Sequence, residues 1–386
     1  MKSTLLITAL LATTFSFASC NSSNAKPIKN TRIENPKANE NNKIQVALLL
    51  DTSNSMDGLI DQAKSRLWNI VNTLTTLKYS GKTPDIEIAL YEYGNDGLAH
   101  QSNYIRQVTP LTTDLDLISE KLFSLRTNGG NEYCGAVIQD ATKKLQWEKA
   151  SNNMKLIYIA GNEAFNQGGI NYKEAISDAM KNDIYVNTIF CGSSSEGINS
   201  FWKDGADYGK GKYFNIDSNQ SVQYVSTPYD DQISKCNLKI NDTYIGYGAK
   251  GSSKKMNQEA QDKNAQGVSA ANYAERAVSK SKAVYKNDSW DLVDRVKEDP
   301  KAIAKIKKEE LPAELQNKSE AEVEMIVTQK TKEREMIQKE IGDLAKKRQQ
   351  YIDAEAKKTK SQDDLGNAIN TSIVALAKAK GYTVEK

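Results

Sequence analysis

The sequence is poor in the residues that most often build catalytic or metal-thiolate sites, since its 386 residues include one histidine and four cysteines. The histidine, His100, lies between predicted strands and no motif surrounds it. No Cys-x-x-Cys pair occurs, so the zinc-finger and thiol-redox classes have little support. The H-E-x-x-H, G-x-S-x-G and phosphate-loop patterns of common enzymes are also missing. We therefore expect a protein that is not an enzyme.

The chain also lacks a strong charge of either sign, because its formal net charge is +3. A charge this small does not favour attraction to nucleic acid, and we expect no nucleic-acid partner. After the first twenty residues, no segment approaches the ~20 consecutive apolar residues that a membrane-spanning helix requires. Any membrane attachment is therefore expected to use another device.

The first residues combine Lys2, an apolar run over residues 5–17 and small residues before Cys20, the pattern of an export signal. The segment Phe17-Ala18-Ser19-Cys20 resembles the bacterial lipobox, in which the cysteine is acylated, although Phe17 stands where leucine is usual. The resemblance implies a signal peptide over residues 1–19 and lipidation at Cys20. It places the protein in the bacterial cell envelope, at the outer membrane or facing the periplasm. A plain secreted protein with an incidental cysteine is the alternative.

Composition divides the remaining chain into four parts. Residues 20–42 are rich in Asn, Lys, Pro and Ser and have almost nothing to bury, which predicts a disordered tether. Residues 43–242 have the pattern of one α/β domain. Residues 243–265 contain Gly, Ser and Lys and are predicted to be a linker. Residues 266–386 are predicted to be mostly helical.

The α/β assignment depends on how apolar residues are spaced. Near-continuous apolar runs at residues 44–50, 154–160 and 184–190 predict strands that are covered on both faces. Segments with three-four apolar spacing alternate with them, and a last helix is predicted at about residues 222–235. This alternation predicts a doubly wound, mostly parallel sheet, with ligands bound at the carboxyl ends of its strands.

The loop after the first predicted strand has the sequence Asp51-Thr52-Ser53-Asn54-Ser55 and leads directly into an amphipathic helix. This D-x-S-x-S pattern resembles the metal-ion-dependent adhesion site of von Willebrand factor A domains. The resemblance covers about half of the chain and implies that Asp51, Ser53 and Ser55 hold a divalent cation. Their oxygens suit a hard cation, with Mg²⁺ favoured and Mn²⁺ or Ca²⁺ as alternatives. The open coordination positions would accept a partner's carboxylate.

The two other loops that complete this site in the family depart from its pattern. In the second loop a threonine usually follows paired glycines, and Asn131 stands at that place, with Thr127 as a less certain hydroxyl. In the third loop an aspartate usually follows the strand, and here Asn162 or, less certainly, Glu163 must serve. Each lost carboxylate removes charge that holds a divalent cation, so we expect a weaker site than the family norm.

Residues around these loops are candidates for contact with a partner. We call the surface around these loops the rim, and we predict that it includes Tyr93, Asn95, Asp96 and Glu132. Tyrosine suits such a surface because it offers contact area at low entropy cost. Tyrosines packed beneath the rim are the alternative. Cys134 and Cys191 are also expected near the rim, so a disulfide between them is credible, with two buried free thiols as the alternative.

In the C-terminal region, Ser319 and Glu322 form a predicted capping box that opens a long helix at about residues 319–358. Heptad spacing places Val323, Val327, Lys330, Arg334, Ile337, Ile341, Leu344, Arg348, Tyr351 and Glu355 on one seam. Charged residues interrupt this seam, so a coiled coil is a weaker interpretation than a helical hairpin or a helix that meets a partner.

Together these features predict a lipid-anchored envelope protein that binds an unknown envelope partner through a metal site. The partner is expected to be a protein that offers a carboxylate, and the membrane is contacted through the N-terminal lipid. The alternative is a structural envelope protein, in which the helical tail mediates assembly and the α/β domain is a metal-free scaffold.

Overall fold

The computed structural model describes residues 42–217, 219–220, 222–356 and 365–385. The predicted signal peptide, Cys20 and all of the predicted tether except Asn42 lie outside these residues. Those assignments therefore stay predictions from sequence.

The α/β part begins with β1 and closes with α7. Its strands are β1 (Lys43–Asp51), β2 (Leu77–Lys78), β3 (Asp85–Tyr93), β4 (Ile105–Thr112), β5 (Met154–Gly161), β6 (Ile184–Cys191) and β7 (Lys210–Ile216). Its helices are α1 (Asp57–Thr75), α2 (Leu115–Ser124), α3 (Cys134–Lys144), α4 (Tyr172–Lys181), α5 (Ser194–Asn199), α6 (Trp202–Tyr208) and α7 (Asp230–Asn241). The last helix was predicted at 222–235; it begins later because Pro228 precedes it and Asp230 accepts hydrogen bonds from Thr227.

The central sheet has the strand order β4-β3-β1-β5-β6-β7. All neighbouring strands are parallel except β3 and β4, which are antiparallel. The apolar run of β1 lies at the centre, where Ile44 is paired with Ile86 on one side and with Met154 on the other. The predicted doubly wound, mostly parallel sheet is confirmed, and the carboxyl ends of β1, β5 and β6 meet at one edge.

Alternate residues of β1 feed two separate apolar cores, because successive side chains in a strand point to opposite faces. Val46, Leu48 and Leu50 pack with α1, α2 and the C-terminal helices on one face. Ala47 and Leu49 pack with α3 and α4 on the other face. The sheet is therefore covered on both sides, as the continuous apolar run predicted.

The C-terminal region is helical, as predicted, and it packs against the first of these two faces. Its elements are α8 (Gly251–Val268), α9 (Ala270–Lys280), α10 (Leu292–Glu298), α11 (Ala313–Gln316), α12 (Glu320–Ala356), α13 (Leu365–Ala379) and the short strand β8 (Thr383–Val384). Helix α13 lies along α1 and over β5, β6 and β7, and Tyr158 and Ser372 share a hydrogen bond of 2.6 Å there. Strand β8 pairs with β2.

The predicted linker over residues 243–265 is wrong, because most of this segment forms α8. Polar side chains of α8 are buried and satisfied by hydrogen bonds: Gln261 accepts from Ser119 at 2.9 Å, and Asp262 contacts Arg276. A polar composition normally indicates a solvated joint. Here the composition conceals a helix whose polar face is covered by its neighbours.

The long helix α12 packs through the seam that its heptad spacing defined. Its buried residues are Val323, Val327, Arg334, Ile341, Leu344 and Arg348. The two arginines meet acidic partners of the same chain: Arg334 contacts Asp291 and Asp294 at 2.6 and 2.7 Å, and Arg348 contacts Asp230 at 2.8 Å. The seam is thus a packing surface toward α7 and α10 within the chain.

Candidate metal site

Three loops meet at the edge of the sheet where β1 and β5 end. The first follows β1, the second joins α2 to α3 and the third follows β5. The first loop is held to its neighbours by its backbone: the Thr52 N–H donates to Tyr93 O at 2.9 Å, and the Asn128 N–H donates to Thr52 O at 3.0 Å. These bonds fix the first and second loops against each other.

The first loop gathers its predicted metal residues. Asp51 is completely buried, and its Oδ1 accepts from the Ser53 backbone N–H at 2.7 Å. The hydroxyls of Ser53 and Ser55 lie 3.4 Å apart, with Ser53 nearly buried and Ser55 exposed. The D-x-S-x-S spacing therefore places one carboxylate and two hydroxyls together at the edge.

The third loop adds Asn162 to this group. Its Nδ2 donates to the Ser55 hydroxyl at 3.1 Å, so its side chain lies against the first loop. Glu163 is exposed and its carboxylate accepts from Gln167 at 3.0 Å. Of the two residues predicted for this loop, Asn162 contacts the serine residues and Glu163 lies outside them.

The second loop contributes Glu132, which we had placed on the partner-binding rim. Glu132 is 3% exposed, whereas its neighbour Asn131, the predicted metal residue, is exposed. Thr127 donates to Asp57 at the start of α1 instead of to the cluster. The signal that sequence reasoning missed was the acidic residue one place beyond the expected position.

Two glycines allow this approach. A Cβ at Gly94 would lie 2.8 Å from both Asp51 Oδ1 and Glu132 Cγ, and its φ is +77°. A Cβ at Gly130 would lie 2.2 Å from Gly94 O, and its φ is +148°. Only glycine fits both positions without displacement, so the two carboxyl groups come together over a surface that has no side chains.

The assembled group has oxygens without partners. Among the described residues, Asp51 Oδ2, Glu132 Oε2 and Asn162 Oδ1 are buried and have no hydrogen-bond partner. Burial raises the pKa of Asp51 well above its usual range, and the adjacent Glu132 raises it further. Burial also raises the pKa of Glu132. Buried acceptors normally have partners, so this edge has the charge and free oxygens that a bound cation would satisfy.

The residues present fit a hard divalent cation, which prefers carboxylate, hydroxyl and amide oxygens. In the part of the chain that the structure describes, no three His, Cys, Asp or Glu side chains are grouped as metal ligands. The site would depend on Asp51 and Glu132 together with the neutral oxygens of Ser53, Ser55 and Asn162. This donor set fits Mg²⁺ better than a soft metal.

Two residues predicted for the rim lie beneath it. Tyr93 is fully buried, and its hydroxyl donates to Ala160 O at 3.0 Å. Asn95 is also buried and binds the backbone, with Nδ2 donating to Arg126 O at 2.9 Å and Oδ1 accepting from the Gly97 N–H at 2.8 Å. Asp96 is exposed. Tyr93 and Asn95 therefore support the loops from beneath, as the alternative of packed tyrosines predicted for Tyr93.

The disulfide considered between Cys134 and Cys191 is absent, and these residues and Cys236 are free thiols. Cys134 packs in the core on the α3 and α4 side of the sheet, 3.9 Å from the Tyr93 hydroxyl. Cys191 packs in the core on the opposite side. Because Cys134 on α3 and Cys191 at the end of β6 pack on opposite faces of the sheet, the two sulfurs do not meet.

A doubly wound sheet with a D-x-S-x-S loop at the carboxyl end of its central strand defines a class of interaction domain. Residues 45–227 match the family model of the von Willebrand factor type A domain, and this part of the chain is such a domain. The domain type is a protein-interaction fold, and some members carry a metal-ion-dependent adhesion site.

Solved structures of the same class resemble the chain at low identity. Proximal thread matrix protein 1 from the mussel byssus, with zinc in its metal-ion-dependent site, is 14% identical (TM-score 0.35) over 45% of this chain and 42% of its own. An aerotolerance-related membrane protein of Bacteroides fragilis is 17% identical (TM-score 0.33) over 46% of this chain and 93% of its own. The chain thus spans less than half of the mussel protein. No curated protein sequence matches the chain.

The described helices were also compared with the requirements of a lipid bilayer. Within residues 42–217, 219–220, 222–356 and 365–385, no helix is both long and apolar enough to cross a membrane.

Proposed function

We propose that the von Willebrand factor type A domain binds a protein partner through a divalent cation, with no catalytic step. The observation that carries this proposal is the set of three buried, unpartnered oxygens on Asp51, Glu132 and Asn162. Two buried carboxyl groups in contact repel each other unless a proton or a cation lies between them. The cluster lies at the sheet edge where ligands bind in doubly wound folds.

The residues that would hold the cation are Asp51, Ser53, Ser55, Glu132 and Asn162. When bound, a divalent cation supplies positive charge to this edge and open positions for a carboxylate from outside. Mg²⁺ is the proposed ion because all five donors are oxygens, with Mn²⁺ and Ca²⁺ as alternatives. The partner is accordingly proposed to be an envelope protein that offers an aspartate or glutamate side chain.

The proposed setting is the bacterial cell envelope, with attachment through a lipid on Cys20. Its support is the lipobox-like sequence that ends at Cys20. The test is labelling of cells that produce the full chain with a fatty-acid analogue: the wild-type protein is expected to carry the label and Cys20→Ser is not. Equal labelling of both, or labelling of neither, would remove the lipid anchor from the proposal.

The alternative role, assembly through the helical tail, has less support. The seam of α12 is occupied by contacts within the chain, including the Arg334 and Arg348 ion pairs. This face is therefore not available to a second copy without breaking buried contacts. We keep partner binding at the loop edge as the proposed function.

The direct test is isothermal calorimetry of Mg²⁺ binding to residues 42–386, because residues 41–386 form one compact unit. A fragment that ends near residue 250 would lose α8, α9 and α13, which cover the sheet. We expect saturable binding that Ser53→Ala weakens about tenfold or more, since one oxygen donor is lost. Ser124→Ala, which removes an exposed hydroxyl at the end of α2, is the matched control. Absence of saturable Mg²⁺, Mn²⁺ and Ca²⁺ binding would exclude the metal-dependent function.

A further inference from the structure

A surface cavity of about 600 Å³, widely open to solvent, lies beside the third metal loop. Its lining includes Asn162, Phe190, Cys191, Glu196, Asn199 and Phe201. Asn162 belongs both to this cavity and to the candidate metal site, so the two are adjacent. A ligand that reaches one of them is beside the other.

The lining combines an exposed aromatic ring with a single kind of charge. Phe201 supplies the exposed ring, Glu196 supplies a carboxylate, and Phe190 is buried, with 4% of the residue exposed. Glu196 accepts hydrogen bonds from the hydroxyl and the N–H of Ser193, which lower its pKa and keep it ionised at neutral pH. Among the described residues that line the cavity none is basic. The nearby Lys203 contacts Asp207 on the next turn of α6.

Phe201 has an unusual conformation for an aromatic residue at a surface. Its φ is +71°, in the left-handed region that favours glycine and asparagine, and 43% of the residue is exposed. Its neighbour Ile198 is 48% exposed. An exposed ring kept in an unfavourable backbone conformation points to use of that ring by a ligand.

We propose that this cavity receives a lysine or arginine side chain of the partner whose carboxylate binds at the metal edge. The pairing of the two contacts rests on the proposed function. The aliphatic stem packs against the exposed ring of Phe201, which suits a long side chain with an apolar stem and a charged head. The cationic head lies near the Glu196 carboxylate and an aromatic face. The recognition sequence of the partner therefore holds an acidic and a basic residue close together.

Two substitutions change the proposed contact and keep the local backbone structure. Glu196→Gln removes the charge and keeps the side-chain oxygen that accepts from Ser193, so α5 keeps its cap. Phe201→Asn removes the aromatic wall and introduces a residue that tolerates positive φ. Glu324→Gln, on the exposed face of α12, makes the same charge change far from the cavity and is the control.

The experiment is selection of a random peptide library, displayed on phage, against residues 42–386 in excess Mg²⁺. We expect enriched peptides that carry Asp or Glu within a few positions of Lys or Arg. Selection against Glu196→Gln is expected to keep the acidic residue and lose the basic one, and Glu324→Gln is expected to keep both. For a selected peptide, affinity is expected to fall about threefold with Glu196→Gln and about fivefold with Phe201→Asn.

The outcomes distinguish the two proposals. Acidic enrichment without basic enrichment leaves the metal function standing and overturns the cavity assignment. Basic enrichment that persists with Glu196→Gln, enrichment of apolar residues in place of Lys or Arg, or no enrichment at all also overturns it. Basic enrichment without acidic enrichment in Mg²⁺ contradicts the proposed function and the pairing of the contacts.

Discussion

Buried carboxyl groups occur in two regions of this molecule, and the regions treat them differently. At the loop edge, Asp51 and Glu132 lie against each other. Among the described residues no basic side chain forms an ion pair with either, and each keeps an oxygen without a hydrogen-bond partner. Between the sheet and the C-terminal helices, Asp116 and Asp262 flank the fully buried Arg276 at 2.7 and 2.5 Å. Lys280 adds a contact of 3.0 Å to Asp262.

Acidic residues that are paired with cations inside the chain have a structural role, whereas buried acidic residues without such a partner are candidates for binding a ligand. Arg276 also donates to Gln258 O at 2.9 Å and lies over the Trp68 ring, so its hydrogen bonds and its charge are satisfied within the chain. A satisfied network of this kind holds the helices on the domain. At the loop edge, none of the described residues supplies a counter-charge to the two carboxyl groups, which is the arrangement expected of a site that a ligand completes.

The largest effect should follow from removing the cation of the paired region. Arg276→Met leaves the buried Asp116 without its cation and Asp262 with Lys280 alone, and the free energy of unfolding is expected to fall by about 3–5 kcal/mol. Urea unfolding of residues 42–386, followed by circular dichroism, measures it. Lys239→Met, which removes an exposed charge on α7, should change the same quantity by less than about 0.5 kcal/mol. Similar losses in both variants would show that the buried network has no special importance.

For Arg334→Met we expect a smaller decrease in the free energy of unfolding, and its size should depend on pH. Burial raises the pKa of Asp294, beside Arg334, to about 6, so the native state holds an extra proton there between about pH 4 and 6. Stability from this proton is lost as pH rises through that window. Without Arg334, ionised Asp294 destabilises the native state further. The free energy of unfolding should therefore fall by about 2–3 kcal/mol at pH 8 and by about 1 kcal/mol less at pH 5.

The control for this prediction lies on the same helix. Lys339→Met breaks the exposed pair with Asp343 and should cost less than about 0.5 kcal/mol at either pH. If unfolding of Arg334→Met at pH 5 and pH 8 shows the same loss, Asp294 does not take up the proton as described.

The smallest expected effect is a gain in stability. Glu132→Gln removes one of two adjoining buried carboxyl groups, and in a chelator the free energy of unfolding should rise by about 1 kcal/mol. The same variant should lose the stabilisation that excess Mg²⁺ gives to the unmodified chain. Thermal unfolding with and without Mg²⁺ measures both. A clear loss of stability in the chelator would place Glu132 with the structural acids and erase the contrast between the regions.

Much of the α/β domain was predictable because its signals are local. Strands covered on both faces require continuous apolar runs, and residues 44–50 of β1 have one. The position of Asp51, Ser53 and Ser55 follows from the end of that strand. Asn162 was predictable for the same reason, since it directly follows β5.

The remaining parts depend on contacts that spacing does not encode. The backbone at Gly130, which lies close to Gly94, directs Glu132 inward and Asn131 outward. The helix over the predicted linker depends on side-chain partners that its own composition does not reveal: Ser119, far away in the chain, for Gln261 and Arg276 of the next helix for Asp262. Helices α5 and α6 were missed, although Ser193 and Glu196 form a capping box that was visible in the sequence.

The chain enters and leaves the described fold on the side away from the metal loops. Lys43 begins β1 at the amino end of the sheet, and β8 pairs with β2 just after α1 has run back to that end. Tyr382 also donates to Asn152 O, directly before β5. A surface, bead or fluorescent label attached at residue 42 or residue 385 would therefore leave the edge with the three loops unobstructed, and the two attachment points would serve as each other's orientation control.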